Sequence, residues 1–158
     1  PELLREYIGD CTIDGAGILI LLDGTAQQDE YYAECIYQLL FQLNAATSKN
    51  SRSRRVAVAL SKCDLPQLWI HRNNPTKKIQ ARFEGVYSKL KTFHKIHVEF
   101  FATSAYGVLG NDIQIANSHT TKADKNGTRA IILESDFKLW RPFGLIEPIY
   151  WLYTGKKY

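Results

Sequence analysis

The sequence lacks methionine altogether and begins at Pro1, so a natural start is not in view and we expect earlier residues in the natural chain. Its three cysteines, Cys11, Cys35 and Cys63, have no C-x-x-C spacing, and its four histidines form no H-x-x-x-H pair. A disulfide framework or a zinc site is therefore not indicated, and such cysteine usage is typical of a reducing cytoplasm. No apolar run reaches the roughly 20 residues of a membrane span, and no signal peptide opens the chain. We therefore expect a cytoplasmic protein without a membrane span.

The composition is that of an ordinary globular domain. With 158 residues, 45% of them apolar and 23% charged, the chain can bury a core of its own. The net charge of +4 favours anions in general, but the basic residues form no stripe with interleaved aromatics. Arg52, Arg54 and Arg55 are interpreted as a solvated loop. The hypothesis that the chain binds nucleic acid therefore rests on its net charge alone. A binding affinity insensitive to salt would eliminate it.

The most informative stretch is Val56–Asp64, VAVALSKCD. Residues 56–60 are continuously apolar, which predicts a strand buried on both faces, as in parallel sheets. The strand gives way to the polar tetrapeptide SKCD, and Pro66 then stops regular structure. In open α/β sheets, ligands bind beyond the carboxyl ends of the strands. Lys62 and Asp64 are therefore candidate ligand-binding residues.

Hydrophobic spacing predicts further strands and helices on both sides of this stretch. Two more buried strands are predicted at Ile18–Leu22 and His97–Thr103. Helices are predicted over Pro1–Ile8, Gln28–Asn44, Thr76–Phe93 and Pro142–Tyr153. In the last of these, Pro148 either kinks the helix or marks its true first turn, and Gly155 is a suitable stop.

Residues 107–140 predict a β-hairpin inserted before the last helix. Val108–Ala116 and Arg129–Glu134 are rich in β-branched residues, and the segment between them is rich in turn residues. Elsewhere strands alternate with helices along the chain. The order predicts an α/β fold: a doubly wound, mostly parallel sheet with helices on both faces.

The tetrapeptide SKCD resembles the guanine-specificity motif of Ras-like (TRAFAC-class) P-loop GTPases, written [N/T]-K-x-D. About forty residues later, a predicted strand ends in Ala102-Thr103-Ser104-Ala105, which resembles the second base-binding motif of that family, a strand ending in S-A. Each motif follows a buried strand, and an amphipathic helix lies between them. The resemblance covers nearly the whole chain, and the segments LLREYI, ILILLD and RPFGLIEPIYWL resemble bacterial GTPases of the double-GTPase type.

The resemblance implies a site for GTP or GDP formed by Ser61, Lys62, Asp64, Ser104 and Ala105. The Asp64 carboxylate would accept both N–H donors on one edge of guanine, a pair that adenine does not present. Lys62 would lay its stem along the base and bond to a phosphate-binding loop, with Ser61 standing where the family has Asn or Thr. The Ala105 N–H would face guanine O6, and Ser104 would set the turn.

The P-loop motif G-x-x-x-x-G-K-[S/T], which cradles phosphates and helps to bind Mg²⁺, does not occur in this sequence. The run Gly155-Lys156-Lys157 lacks the upstream glycine and follows a helix instead of preceding one. The resemblance therefore implies a single GTPase-like domain over residues 1–158, seen without its N-terminal P-loop segment and with no catalytic residue assigned.

Two hypotheses follow. In the first, the chain is part of a GTP hydrolase whose preceding segment supplies the P-loop and Mg²⁺. In the second, it is a degenerate or split GTPase-like scaffold that binds a protein effector or partner subunit without nucleotide turnover. A P-loop motif upstream in the parent gene product would favour the first hypothesis, and its absence would favour the second.

Overall fold

The computed structural model describes residues 17–46, 54–109, 115–117, 119–120, 125, 131–133 and 136–158. The helix predicted over Pro1–Ile8 lies outside these residues. The strands are β1 (Ile18–Asp23), β2 (Arg54–Ser61), β3 (Ile96–Ala102), β4 (Ser104–Leu109), β5 (His119–Thr120), β6 (Ile131–Ile132) and β7 (Trp140–Phe143). The helices are α1 (Asp29–Ala46), α2 (Pro66–Trp69), α3 (Pro75–Arg82), α4 (Glu84–Leu90), a 3₁₀ helix (Phe137–Leu139) and α5 (Glu147–Thr154).

β1, β2 and β3 form a three-stranded parallel sheet in that order. Ile18 of β1 lies beside Val56 of β2, and Val56 lies beside Val98 of β3. Residues 56–60 are at most 1% exposed, as expected for a central strand covered on both faces. The prediction of a mixed α/β fold with a parallel sheet and helices is confirmed.

One face of the sheet carries the main core. The stripe predicted for α1 is buried here, and α4 adds its own apolar residues to the same cluster. Apolar side chains at three- and four-residue spacing lie on one side of a helix, so each helix presents a continuous stripe to the strands. The buried members of the two helices are Ala33, Ile36, Leu40, Leu43, Val86 and Leu90.

The single helix predicted over Thr76–Phe93 is wrong, because the chain forms two helices, α3 and α4, that meet at Phe83. Phe83 has φ −123° and ψ 57°, outside the helical region, and its side chain is fully buried. The Asp29 carboxylate of α1 accepts hydrogen bonds from the amides of Gly85 at 2.8 Å and Val86 at 3.1 Å. These amides lie in the first turn of α4, so a carboxylate 56 residues away in sequence caps a new helix.

α5 packs on the opposite face of the sheet. The ring of Trp151 lies 6.1 Å from that of Phe101, which points away from the main core. The helix covers β2 more fully than β1. Leu19 and Leu21 of β1 are therefore 39% and 64% exposed on this face.

The closing helix begins later than predicted. α5 starts at Glu147 with Pro148 in its first turn, and Gly155 ends it in the left-handed conformation with φ +74°. Pro142 lies in β7 instead. Of the two readings of Pro148, the one that places it in the first turn is therefore confirmed. The Arg55 guanidinium donates to two carbonyls in the last turn, at 2.9 and 3.0 Å.

Where residues 107–140 are described, their strands pair differently from the predicted hairpin, but residues 110–114, 129–130 and 134 of the two predicted strands lie outside the described residues. β4 begins before the expected Val108–Ala116 segment and pairs antiparallel with β7, with Leu109 opposite Trp140. β6 lies within the expected Arg129–Glu134 segment, but it pairs with β5, where a loop had been predicted. β5 and β6 are only two residues long, too short for alternation to identify them. Among the described helices, none is both long and apolar enough to cross a membrane.

Candidate functional site

The predicted site residues meet at the carboxyl ends of the parallel strands. In the register of the sheet, Asp23 at the end of β1 lies beside Ser61 at the end of β2, and Leu60 lies beside Ala102 at the end of β3. A backbone hydrogen bond joins the loops that follow β2 and β3: the Cys63 amide donates to the Thr103 carbonyl at 3.1 Å. The two motifs are therefore adjacent in space.

Asp64 and Ser104 form the buried half of the site. Asp64 is 3% exposed and Ser104 is 2% exposed, and the Ser104 hydroxyl donates to Asp64 Oδ1. The same hydroxyl oxygen accepts a hydrogen bond from Gly107 N at 2.9 Å. Ser104 thus orients the carboxylate of the first motif and also fixes the start of β4. Because Asp64 is so little exposed, a base can reach its carboxylate only if neighbouring groups move aside.

Lys62 and Asp23 form the exposed half of the site. Lys62 Nζ lies 2.7 Å from Asp23 Oδ2 and 3.4 Å from Thr25 Oγ1, and the two charged side chains are 51% and 36% exposed. Lys62 has φ +61°, a left-handed conformation that is uncommon outside glycine, at the point where the chain leaves β2. Its backbone turn therefore directs its side chain over the end of β1.

The charge of Asp23 is stabilised by its neighbours. Partial burial acts to raise the pKa of Asp23, but the hydrogen bonds from Lys62 and Thr25 outweigh burial and hold that pKa below its usual value. Thr25 donates to Asp23 Oδ1 through both its amide, at 2.9 Å, and its hydroxyl, at 2.7 Å. Sequence reasoning assigned no role to Asp23, although its place at the end of a strand beside the SKCD strand is a usable signal.

The two remaining predicted residues, Ser61 and Ala105, differ in their burial and their contacts. Ser61 is half-buried, and its hydroxyl donates to Leu22 O of β1 at 3.0 Å. That bond joins two strands of the sheet. Ala105 is exposed, next to the buried Ser104. Tyr106, which follows, is 37% exposed and offers its ring at the surface.

Two residues that the sequence analysis did not identify stabilise the turn after Ser104. Gly107 has φ +71°, and a Cβ atom there would lie 2.0 Å from the Arg141 carbonyl oxygen. Only glycine fits this contact between β4 and β7. Asn117 is 2% exposed, and its side chain donates to the Tyr106 carbonyl at 3.0 Å. No sequence pattern predicts the roles of Gly107 and Asn117, because both roles depend on contacts between segments that are distant in the chain.

Cys63 carries no chemistry that the site could use. Its thiol donates to the Leu60 carbonyl at 3.2 Å, and burial raises its pKa to about 11. A thiol of that kind is a poor nucleophile near neutral pH. Among the described residues, no group of three or more His, Cys, Asp or Glu side chains is arranged to hold a metal ion.

Two cavities of the molecule lie away from these residues. One, of about 310 Å³, lies beside β3, and a second, of about 420 Å³, lies between α2 and β7. None of the five predicted site residues is among the described residues that line either cavity. The five predicted residues therefore form a hydrogen-bonded edge of the sheet that lies outside both of these cavities.

Comparisons with protein-family models, with curated proteins and with solved structures give no match to the chain. The resemblance to Ras-like GTPases thus rests on the two motifs and their order, and the guanine-nucleotide function stays a prediction.

Proposed function

We propose that the carboxyl edge of the parallel sheet binds the base of a guanine nucleotide. The observation that carries the proposal is the hydrogen bond from Ser104 to Asp64, which joins two motifs 40 residues apart in sequence. An ionised carboxylate only accepts hydrogen bonds, so it suits a base edge with two adjacent N–H donors. Guanine has that edge, and adenine does not.

The position of Lys62 supports the same proposal. Its ion pair with Asp23 holds the side chain over the ends of β1 and β2, two residues from Asp64 in sequence. The methylene stem of a lysine is apolar, and it offers a surface on which a planar base can lie. The ammonium is 2.7 Å from one carboxylate and still half-exposed, so it keeps donors for a further partner.

We further propose that GTP hydrolysis requires a phosphate-binding segment that residues 1–158 do not contain. In P-loop enzymes, backbone amides, a lysine and Mg²⁺ hold the phosphates, and the protein orients a water molecule for in-line attack. The chain would supply base recognition alone. Phosphate binding, Mg²⁺ binding and the positioning of water would come from that other segment.

A second candidate function is a GTPase-like interaction scaffold. The observation that favours it is the closure of the polar network within the chain. Asp64 is 3% exposed and bonded to Ser104, and Lys62 is paired with Asp23. Such a network stabilises the loops of the sheet whether or not a nucleotide binds.

A competition titration separates the two functions. The natural polypeptide that contains this chain is titrated with fluorescent GDP in the presence of Mg²⁺, and excess GTP or ATP is then added. The proposal predicts displacement by GTP but not by ATP, and loss of binding in Asp64→Ala. Glu30→Ala, which removes an exposed carboxylate from α1, is the matched control and should bind normally.

Two results would count against guanine recognition. One is equal displacement by ATP and GTP. The other is an absence of binding in a sample whose circular dichroism shows it to be folded. The second result would leave the scaffold as the better function for this fold.

A further inference from the structure

We propose that the cavity between α2 and β7 binds the C-terminal aromatic residue of an extended peptide, whose preceding residues lie along the outer edge of β3. The cavity measures about 420 Å³, within the range of sites that hold small organic groups. It is separate from the candidate base site, and the proposal does not depend on nucleotide binding.

The walls of the cavity suit an aromatic ring. The rings of Trp69 and Phe143 lie 5.7 Å apart and nearly perpendicular, at 83°. Val108 and Pro142 add further apolar surface. Aromatic rings pack favourably in edge-to-face and offset arrangements, so an incoming ring can extend the existing pair.

The charge of the cavity suits a carboxylate. Arg72 lines it, and no carboxylate is among the described residues that do so. The Arg72 guanidinium lies 4.1 Å from the centre of the Trp69 ring, and it donates once to the Trp69 carbonyl, at 3.1 Å. A guanidinium has five donors in a rigid fork that matches a carboxylate. Stacking on Trp69 therefore holds the fork in place beside the apolar walls.

Trp69 also has an unmet hydrogen bond. Its indole Nε1–H is buried and has no hydrogen-bond partner among the described residues. Leaving such a donor unpaired is unfavourable, and a ligand oxygen beside Trp69 would relieve it if the surrounding side chains moved aside to expose the nitrogen.

The second cavity gives the peptide its path. It measures about 310 Å³, shares Arg72, Asn73 and Phe143 with the first, and continues along Glu99–Ala102 of β3. β3 is an outer strand of the sheet in the described part of the chain. The Phe100 amide donates to the Glu99 side chain at 3.4 Å and not to β2, so it faces the open edge. A peptide carbonyl can take the place of that carboxylate and add a strand to the sheet.

The test uses a fluorophore-labelled hexapeptide, Thr-Ser-Val-Thr-Val-Phe, with a free or an amidated C-terminus, and follows binding by fluorescence anisotropy. We expect the free acid to bind and the amide to bind about tenfold or more weakly, since a charge-assisted hydrogen bond is lost. The substitution Arg72→Met should weaken binding of the free-acid peptide by a similar factor. Arg82→Met, on the exposed side of α3, should change its affinity less than about twofold.

A second variant changes affinity in the opposite direction. Glu99→Ala removes the side chain that occupies the Phe100 amide, and we expect it to tighten binding about two- to fivefold. Binding should also shift the indole N–H resonance of Trp69, assigned by its loss in Trp69→Phe. Equal binding of acid and amide would overturn the proposal, as would phenylacetate binding as tightly as the peptide or weaker binding in Glu99→Ala.

Discussion

The two halves of the candidate site differ in burial, although each contains one residue of the SKCD motif and these two residues, Lys62 and Asp64, are only two positions apart. Asp64 is 3% exposed and lies under the Ser104 hydroxyl, whereas the Lys62 side chain is 51% exposed and reaches across to Asp23. A buried hydrogen-bonded charge is tied to the fold, because its loss leaves polar partners unsatisfied. An exposed ion pair contributes little to folding. The motif therefore contains one residue that is tied to the fold and one whose side chain the fold leaves largely exposed.

The largest expected effect lies in the buried half, at Gly107. Gly107→Ala places a Cβ atom about 2.0 Å from the Arg141 carbonyl oxygen at φ +71°, so β7 must move. We expect a loss of at least about 3 kcal/mol in the free energy of unfolding. Urea denaturation followed by circular dichroism measures it. The control is Gln42→Ala, at an exposed position of α1, where the free energy of unfolding should change by no more than about 0.5 kcal/mol.

Asp64→Ala should have the next largest effect on stability. It removes the acceptor of the Ser104 hydroxyl in a buried setting, and we expect a loss of about 2 to 3 kcal/mol. The same denaturation experiment on Asp23→Ala, in the exposed half, should give less than about 1 kcal/mol. The comparison between the halves fails if Asp23→Ala is the more damaging of the two.

Ser104→Ala should cost somewhat less, about 1.5 to 2 kcal/mol, because the Asp64 charge keeps its position while losing one donor. The Gly107 amide also loses its acceptor. Ser88→Ala, which alters an exposed serine of α4, is the control and should leave the midpoint of unfolding almost unchanged. Equal midpoints for the two variants would show that the Ser104 hydroxyl does not support the loop.

The smallest effect concerns the pH dependence of the exposed half. The pKa of Asp23 is lower in the folded chain than in the unfolded chain, so its contribution is present above the unfolded pKa and is lost as the pH falls through the folded value. We expect this contribution to the free energy of unfolding to be less than about 1 kcal/mol and to decrease further as salt is added. Unfolding of the parent and of Asp23→Asn is compared at pH 7 and in acid below pH 3.8, the ordinary pKa of an aspartate. The difference between them should shrink in acid, and a difference that grows would contradict this view of Asp23.

Those parts of the fold that depend on single segments could be predicted from the sequence. The continuous apolar run of residues 56–60 identified the central strand, and the spacing of Leu40 and Leu43 identified the buried stripe of α1. The resemblance to GTPases placed Asp64 and Ser104 in one predicted site, and the two residues meet because successive parallel strands end at the same edge of a sheet.

Features created by distant contacts could not be predicted in this way. The break at Phe83 depends on Asp29 of another helix, whose carboxylate caps α4. The need for glycine at position 107 depends on the approach of β4 and β7, and the buried Asn117 is held by hydrogen bonds to β4. β7 itself contains Pro142 and is only four residues long, too short for an alternating pattern to stand out.

The most direct test of guanine recognition through Asp64 is a change of specificity. Asp64→Asn keeps an oxygen for Ser104 but replaces one carboxylate oxygen by an amide that donates hydrogen bonds. Guanine offers donors at that edge, whereas xanthine offers a carbonyl oxygen in place of the amino group. Titration calorimetry of the natural polypeptide with GDP and with xanthosine diphosphate should therefore show GDP preferred by the parent and xanthosine diphosphate preferred by Asp64→Asn. An unchanged preference for GDP in the folded variant would contradict base recognition by Asp64.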